Sequence, residues 1–426
     1  MLGSASGQLC NGYSAYCSKR YSDISFTGAH DSAFVRTAAF DSLFGNQFYP
    51  VTTQLDSGIR MLQGQVHSSS SSVSTNTSFP SGIELCHSSC GYPGSDFGPL
   101  ETYLSDVRTW LDRNPREVIT ILWVNGGFAP TTWESAYAST GLLRYVYRPP
   151  DRLEGVLTLS DWPTLQDLIS NDTRVINFID TGADTTAVPW LLDEFSNVWE
   201  TGYDETSADQ FSCTLDRPYA SQPQSTIPAS QKLYLINHFL DYEIGTTGID
   251  VPNVTYASIT NSVSGQVGSL SAQVSACTAS NGRPPNFLLV DFFDQGNGSS
   301  VAAAAVANGV QYRAPALFPG AFPVPGSDNH TSALNATSSN AASVGVASTS
   351  LVPTAQSSGS GTRTLSATVA VTTTTFSHAG VTVAAASTSM PSSTLSSSAA
   401  AAGRTCGSSL SVLCVGALTW LILSGH

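Results

Sequence analysis

Two histidines follow short apolar segments that are typical of β-strands. His30 comes directly after residues 24–29 and is followed by Asp31, and His87 comes directly after residues 82–86. Histidine titrates near neutral pH, so two imidazoles at neighbouring strand ends could act as general base and general acid on one substrate. The sequence therefore predicts a catalytic pair formed by His30 and His87.

The elements that must hold these histidines alternate between strands and helices over the first 315 residues. Strands are predicted at 24–29, 58–66, 82–86, 117–124, 173–180, 231–239 and 286–293. Helices are predicted at 99–113, 161–170, 257–276 and 299–309. Several strand segments are continuous apolar runs, which suit strands buried on both faces of a parallel sheet. The alternation predicts an α/β fold, an irregular (β/α)8 barrel over residues 1–315.

Charged residues are scarce in this chain. They make up 11% of its 426 residues, and the net charge is -14. No basic stretch follows a predicted face, so nucleic acid is not an expected partner. Several Asn-x-Ser/Thr sequons and abundant Ser and Thr predict a secreted protein with N- and O-linked glycans. The sequons lie at Asn76, Asn171, Asn253, Asn297, Asn329 and Asn335.

The cysteines agree with a secreted protein, since disulfides persist outside the cytosol. Cys10 and Cys17, like Cys86 and Cys90, are close enough in sequence to pair across local loops, and Cys213 and Cys277 could join a longer segment. This pairing is a hypothesis, because sequence does not fix connectivity, and free buried thiols are the alternative. No apolar segment follows Met1, so a secretory leader is expected upstream of the chain.

The composition changes after the predicted barrel. Residues 316–405 are rich in Ser, Thr and Ala, which predicts a disordered, O-glycosylated stalk, with a plain flexible linker as the alternative. Residues 406–426 contain the apolar run 410–423, which is short for a helix across a ~30 Å hydrocarbon core. This tail predicts a GPI-attachment signal rather than a short membrane span. The expected location is the extracellular surface, with the lipid anchor in the outer leaflet of the plasma membrane or a link to the cell wall.

Three segments carry a resemblance to a known family. Residues 28–34 (GAHDSAF), 55–60 (LDSGIR) and 85–87 (LCH) resemble the X region of the phosphatidylinositol-specific phospholipase C superfamily. Residues 10–315 are most similar to fungal extracellular phosphodiesterases of the TIM-barrel type. The resemblance implies attack of an inositol 2-hydroxyl on the adjacent phosphodiester, with one histidine removing a proton and another protonating the leaving oxygen.

The resemblance also assigns roles residue by residue. His30 matches the general base, Asp31 the acid beside it that assists the leaving-group side, and His87 the general acid. Asp291 is the candidate carboxylate that orients His30. Two alternatives stay open: His87 could merely cap a disulfide loop, and Asp291 could serve a turn at a strand end.

The chain departs from the family at the second strand. Where the family carries acidic metal ligands or an acid and an arginine, this sequence has Gln63 and Gln65. Glutamine is a poor calcium ligand and brings no positive charge, so neither calcium nor another cofactor is expected. Arg60 could supply the charge, although strand alternation places it on the face opposite the two glutamines. The other possible sources are a protonated His67, Arg144, Arg148 or a residue of another loop.

Two further residues follow strand-like segments where barrel loops build pockets. Asn125 and His238 are therefore candidate substrate-binding residues, with turn or core hydrogen bonding as the alternative. The favoured hypothesis is a secreted, surface-anchored phosphodiesterase acting on an inositol phospholipid or a related phosphodiester. The alternative is a catalytically impaired barrel that binds phosphate or inositol at the cell surface or in the cell wall.

Overall fold

The structure, a computed structural model, describes residues 8–37, 42–68, 79, 81–220 and 225–318. The predicted tail at 406–426 lies outside these residues, as does all of the predicted stalk beyond residue 318. Both therefore stay predictions. Within the described part of the chain, no helix combines the length and apolar character needed to cross a bilayer.

The described residues form twelve strands and eight α-helices. The strands are β1 Phe26–Ala29, β2 Met61–Ser68, β3 Ile83–Cys86, β4 Asp96–Pro99, β5 Ile119–Val124, β6 Val175–Ile179, β7 Leu191–Asp193, β8 Val198–Glu200, β9 Leu233–Asn237, β10 Asp241–Glu243, β11 Asp250–Pro252 and β12 Phe287–Val290. The helices are α1 Val51–Asp56, α2 Leu100–Arg113, α3 Pro130–Thr140, α4 Leu165–Ser170, α5 Glu194–Asn197, α6 Ala257–Thr260, α7 Leu270–Asn281 and α8 Ser299–Ala307.

Eight of the strands form one parallel sheet that is curled into an irregular barrel. Their order is β7-β6-β5-β2-β1-β12-β9-β8. Among the described strands, no hydrogen-bonded ladder joins the two edges β7 and β8, and the one-turn helix α5 connects them instead. The predicted irregular (β/α)8 barrel is therefore confirmed, with a seam between β7 and β8.

The register of β1 brings distant parts of the chain to one end of the barrel. Ala29 pairs with Val290 on β12 and with Leu62 on β2. Parallel strands end at the same edge of a sheet, so the next residues, His30, Asp291 and Gln63, meet there. The backbone N–H of His30 donates to the Val290 carbonyl at 3.0 Å, which fixes this register at its end.

The strand that precedes His87 is not a barrel strand. β3 pairs antiparallel with both β2 and β4, so these three strands form an extension at the barrel mouth. The expectation that His30 and His87 follow neighbouring strands was therefore wrong, since β3 pairs with β2 and β4 and not with β1. The strand itself is confirmed, and its hairpin pairing returns His87 to the side of β2.

The predicted helix 257–276 is interrupted. Between α6 and α7, Gly265 and Gly268 adopt φ of 73° and 83°, in the left-handed region that ends a helix. Ser269 then begins α7 by accepting a hydrogen bond from the N–H of Ala272. The apolar pattern continues across the break, and for that reason it suggested one helix.

Apolar side chains fill the barrel and cover its outside. Along β5, Leu122 belongs to the cluster inside the barrel, whereas its neighbours Ile121 and Trp123 pack outward beneath the helices. This alternation is the period of a strand buried on both faces. The three suggested disulfides are present, joining Cys10 to Cys17, Cys86 to Cys90, and Cys213 to Cys277.

Gly126, just beyond β5, passes so close to β2 that a side chain does not fit. A Cβ at this position would overlap the carbonyl oxygen of Val66 and lie 3.0 Å from the Cα of His67. We expect Gly126→Ala to lower the free energy of unfolding by about 2 kcal/mol or more, because backbone must move. Urea unfolding measures this, with Gly91→Ala as control, since a Cβ there makes only ordinary contact with Ser89. Equal stability of both variants would contradict the close approach.

Candidate active site

The ring of His30 is held on two sides. Its Nδ1 lies 2.9 Å from Oδ1 of Asp291, and the ring of Phe239 stacks on it with centroids 3.9 Å apart. The side chain of His30 is 13% exposed. Nδ1 therefore faces the carboxylate, which leaves Nε2 free for proton transfer.

Asp31 lies between the two histidines. Its Oδ2 is 3.7 Å from Nε2 of His30 and 3.9 Å from Nε2 of His87, and its side chain is fully buried. Gln65 donates to the same oxygen at 2.9 Å, and Oε1 of Gln63 accepts from the Asp31 N–H at 2.7 Å. The two glutamines thus line the cavity and hold Asp31 through its carboxylate and its backbone.

His87 reaches this carboxylate from the loop after β3. The Cys86–Cys90 disulfide closes that loop, and the His87 ring packs against Phe34 and Phe44. Its Nδ1 lies 3.0 Å from the hydroxyl oxygen of Ser88, and its side chain is 12% exposed. His87 therefore also presents Nε2 toward Asp31.

The backbone turns sharply after each histidine and after Asp291. The residues that follow are Asp31, Ser88 and Phe292, with φ of 42°, 59° and 43°. Left-handed backbone is costly for residues other than glycine and is found preferentially at functional sites. The turns follow His30 and His87, whose side chains line the cavity, and Asp291, whose side chain contacts the His30 ring.

The local charges place a proton on His30 rather than on His87. Burial alone would lower the pKa of His30, but the negative charges of Asp31 and Asp291 outweigh it and raise the pKa to about 9. Burial, together with the charges of His30 and His67, lowers the pKa of His87 to about 4. Burial raises the pKa of Asp31 to about 7, and Asp291 adds to the rise while His30 opposes it. Near neutral pH His30 is thus the positively charged imidazolium of the pair, and His87 is neutral.

The histidines line a cavity of about 470 Å³ at the barrel mouth. Carboxylates from several loops and strand ends also line it. They belong to Asp180, Glu194, Glu200, Asp204, Asp241 and Asp250. Burial and the charge of Asp291 raise the pKa of Asp241 to about 8, and burial with the neighbouring Glu200 raises that of Glu194. The cavity is therefore strongly acidic, with part of its carboxyl groups held neutral.

Among the described residues, Arg217 is the only lysine or arginine whose side chain lines the cavity. Its Nη1 lies 3.2 Å from Oε2 of Glu200, and its Nη2 lies 4.0 Å from Oδ2 of Asp180. The guanidinium also lies over the rings of Phe195 and Tyr203. A distant loop thus supplies a fixed positive charge to the cavity, although carboxylates already offset much of it.

Four of the candidate substrate-binding residues do not line this cavity. Arg60 binds Glu117 at 2.7 and 2.9 Å and lies over the Trp110 ring, as its strand face required. Asn125 is occupied by the carbonyls of Phe128 and Thr181. The structure therefore gives both residues structural partners.

The other two are histidines. His238 is fully buried, with Nδ1 2.5 Å from the Gln273 amide oxygen and Nε2 2.9 Å from the Thr260 carbonyl. Burial lowers its pKa to about 4, so it stays neutral inside the core. His67 lies on β2, close enough to His87 for the two rings to affect each other's charge. Burial lowers the pKa of His67, so its protonated form is disfavoured.

The residues present do not fit a calcium site. The side chains of Gln63 and Gln65 are both engaged with Asp31. Across the described residues, no group of three or more His, Cys, Asp or Glu is arranged to hold a metal ion.

Several residues of the site carried no recognisable signal in the sequence. Arg217 and Glu194 lie in loops and short elements that no periodic pattern marks, and Asn46 lies in a segment between β1 and α1. Phe239 and Asp241 follow β9 closely, so their position after a strand could have suggested them. His238 follows the same strand yet turns into the core.

The comparisons with known proteins give the family. The family model described as PI-PLC X 1 matches residues 16–306. A protein of Arthroderma benhamiae named "PI-PLC X domain-containing protein 1" is 40% identical over 298 residues, which is 70% of this chain and 88% of that protein. An "Uncharacterized secreted protein" of the same organism is 39% identical over 308 residues, 71% of this chain and 64% of its own length. The chain belongs to the PI-PLC X domain family.

Among solved structures, the phosphatidylinositol-specific phospholipase C of Listeria monocytogenes aligns with a TM-score of 0.43 and 15% identity. The alignment covers 68% of this chain and 95% of that protein.

If Asp31 holds the proton on His30, removing its charge must release that proton more easily. We expect Asp31→Asn to lower the pKa of His30 by roughly one to three pH units, because an opposite charge at this distance favours the imidazolium. Histidine NMR titration measures it. Asp294→Asn is the matched control, since Asp294 bonds to Gln295 and does not contact His30. A His30 titration that both substitutions leave unchanged would contradict the interaction.

Proposed function

We propose that this protein cleaves a phosphodiester attached to a polyol head group such as inositol. The observation that carries the proposal is the shared carboxylate oxygen of Asp31, 3.7 and 3.9 Å from the Nε2 atoms of His30 and His87. The two nitrogens are thus close enough for one phosphodiester to contact both. Membership of the PI-PLC X domain family supports the same chemistry.

In the proposed reaction, His30 Nε2 takes the proton of a head-group hydroxyl. The hydroxyl oxygen forms a bond to phosphorus, the bond from phosphorus to the lipid oxygen breaks, and His87 Nε2 protonates that leaving oxygen. The products are a cyclic phosphodiester and an alcohol, and His30 has gained the proton of the hydroxyl while His87 has given its proton to the alcohol. Asp291 stabilises the imidazolium formed on His30.

This division of labour requires the resting proton to move from His30 to His87. A bound phosphodiester anion beside His87 raises the affinity of that imidazole for a proton. Asp31 lies between the two Nε2 atoms, and its pKa of about 7 suits a group that carries the proton from one histidine to the other. Both distances must shorten to hydrogen-bonding range when substrate is bound, as catalytic contacts often do.

The charge of the cavity bears on the head group. Among the residues that the structure describes, six carboxyl groups and one guanidinium line it. Carboxylates accept hydrogen bonds from hydroxyls and repel further phosphates. These contacts favour an unphosphorylated polyol over a polyphosphorylated one.

The alternative function, an impaired barrel that only binds its ligand, has one observation in its favour. Gln63 and Gln65 are engaged with Asp31, and Arg217 is already paired with Glu200. Weak stabilisation of the phosphoryl charge slows the reaction, since removing such a partner typically costs about a hundredfold in rate. We expect a slow enzyme for this reason.

We also propose that the protein works outside the cell, attached to the surface. Three disulfides and the naming of one relative as secreted support the extracellular location. The apolar run 410–423 supports a GPI anchor, and the sequons support glycans. Release of native protein from cells by anchor-cleaving reagents, and a mass decrease with glycosidase, would test these two modifications.

The enzyme proposal predicts loss of activity with either histidine. Purified protein given phosphatidylinositol should form cyclic inositol phosphate, equally with calcium or with EDTA. We expect His30→Ala and His87→Ala each to lower the rate by about 10³-fold, because general acid or base assistance is lost. Arg144→Ala is the control, since this exposed arginine packs on Tyr145 outside the cavity. Undetectable product from folded protein, with inositol phosphate still bound, would instead support the binding function.

The acidic cavity predicts selection against phosphorylated head groups. We expect phosphatidylinositol to be cleaved roughly tenfold or more faster than its 4,5-bisphosphate, because like charges repel at close range. Asp204→Asn combined with Asp250→Asn should narrow the ratio, since both side chains line the cavity. Rates on mixed micelles of each lipid at equal surface concentration provide the measurement. Equal rates on the two lipids would refute the charge argument while leaving the proposed cleavage reaction intact.

A further inference from the structure

Two adjacent amide side chains are buried between the ends of β1 and β12. Asn46 and Gln47 are both fully buried, and their backbone N–H groups donate to the carbonyl of Phe34. They lie in an irregular segment between β1 and α1. Buried amides of this kind need several partners each, so their contacts show what they hold together.

The side chain of Asn46 contacts the pair formed by His30 and Asp291. Its Nδ2 donates to Oδ1 of Asp291 at 3.0 Å and lies 3.2 Å from Nδ1 of His30. The backbone carbonyl oxygen of Asn46 accepts from the N–H of Phe292 at 2.8 Å, which ties the backbone of Asn46 to the end of β12. Oδ1 of Asp291 therefore receives the amide of Asn46 and the ring nitrogen of His30 together.

Gln47 contacts only main chain at the same place. Its Nε2 donates to the carbonyls of His30 and Val290, at 2.8 and 3.2 Å, and its Oε1 accepts from the N–H of Phe293 at 3.2 Å. Gln47 thus joins the backbones of β1 and β12, whereas Asn46 joins their side chains. Loss of the Gln47 side chain therefore affects the pairing of the two strands, whereas loss of the Asn46 side chain affects the orientation of the His30 ring.

We propose that Asn46 is a positioning residue that sets the tautomer and orientation of His30 through Asp291. Oδ1 of the Asp291 carboxylate can only accept, so Nδ1 of His30 donates to it, and the N–H of Asn46 donates to the same oxygen and holds it beside the ring. Nε2 then faces Asp31 and the cavity as the atom that exchanges a proton. The role in catalysis rests on the proposed function, but the effect on His30 does not.

The proton affinity of His30 reflects every charged group around it. Two of those groups follow the barrel strands β1 and β12, two lie in the loops after β3 and β8, and one begins β10. They are Asp31, Asp291, His87, Asp204 and Asp241. Asn46 is the neutral neighbour that moderates one of them, because its N–H shares the charge of Asp291.

The test is the titration of His30 in Asn46→Leu and Asn46→Asp, followed by NMR of labelled histidines in the full chain. Leucine removes the donor at similar volume, so Asp291 holds the imidazolium more strongly, and aspartate adds negative charge on the same side. Both should move the His30 midpoint upward, by roughly one pH unit for one lost charge-assisted hydrogen bond. With active enzyme, kcat at neutral pH should fall about tenfold with KM unchanged, because Asn46 touches no substrate.

Gln47→Leu is the matched control. It should lower the melting temperature and leave the His30 midpoint in place, because Gln47 contacts no side chain of the pair. An unchanged midpoint in both Asn46 variants, with only a lower melting temperature, would make Asn46 a packing residue and overturn the proposal. A protein that cleaves no phosphodiester, yet shows the shifted midpoints, would leave the positioning role standing and the proposed function refuted.

Discussion

The arrangement of this site depends on the buried carboxylate of Asp31. A charge removed from water is costly unless it is paired and hydrogen-bonded, and here a protonated histidine and a glutamine amide provide the compensation. The same carboxylate raises the proton affinity of His30 and reaches toward His87. Gln63 and Gln65 therefore act on the site through their hydrogen bonds to Asp31.

That carboxylate can lie there because three separate stretches of chain end at one place. β1 pairs with β12 on one side and β2 on the other, so His30, Asp291 and Gln63 are neighbours by register alone. His87 arrives differently, by an antiparallel return along the extended end of β2. The barrel thus fixes one histidine rigidly, whereas a short covalent loop fixes the other.

Much of this could be predicted from the sequence. The apolar runs predicted the parallel barrel strands, and His30 was predicted as the residue after the first of them, whereas Asp291 was a candidate from the resemblance to the family. The single helix predicted at 257–276 was wrong, because the apolar pattern continues through the segment between α6 and α7, where two glycines adopt left-handed backbone angles. Arg217 and Asn46 could not be found either, since long-range packing places them and local pattern does not. His238 shows the converse, a residue after a strand that packs into the core.

The Cys86–Cys90 bridge couples the chemistry to the redox state of the surroundings. It closes a five-residue ring around His87, in which the left-handed Ser88 sets the aim of the imidazole. In a reducing compartment that ring opens, and the loop regains the freedom that the bridge removes. A chain with these two cysteines reduced would therefore leave His87 on a freer loop, so the approach of its ring to Asp31 depends on their oxidation.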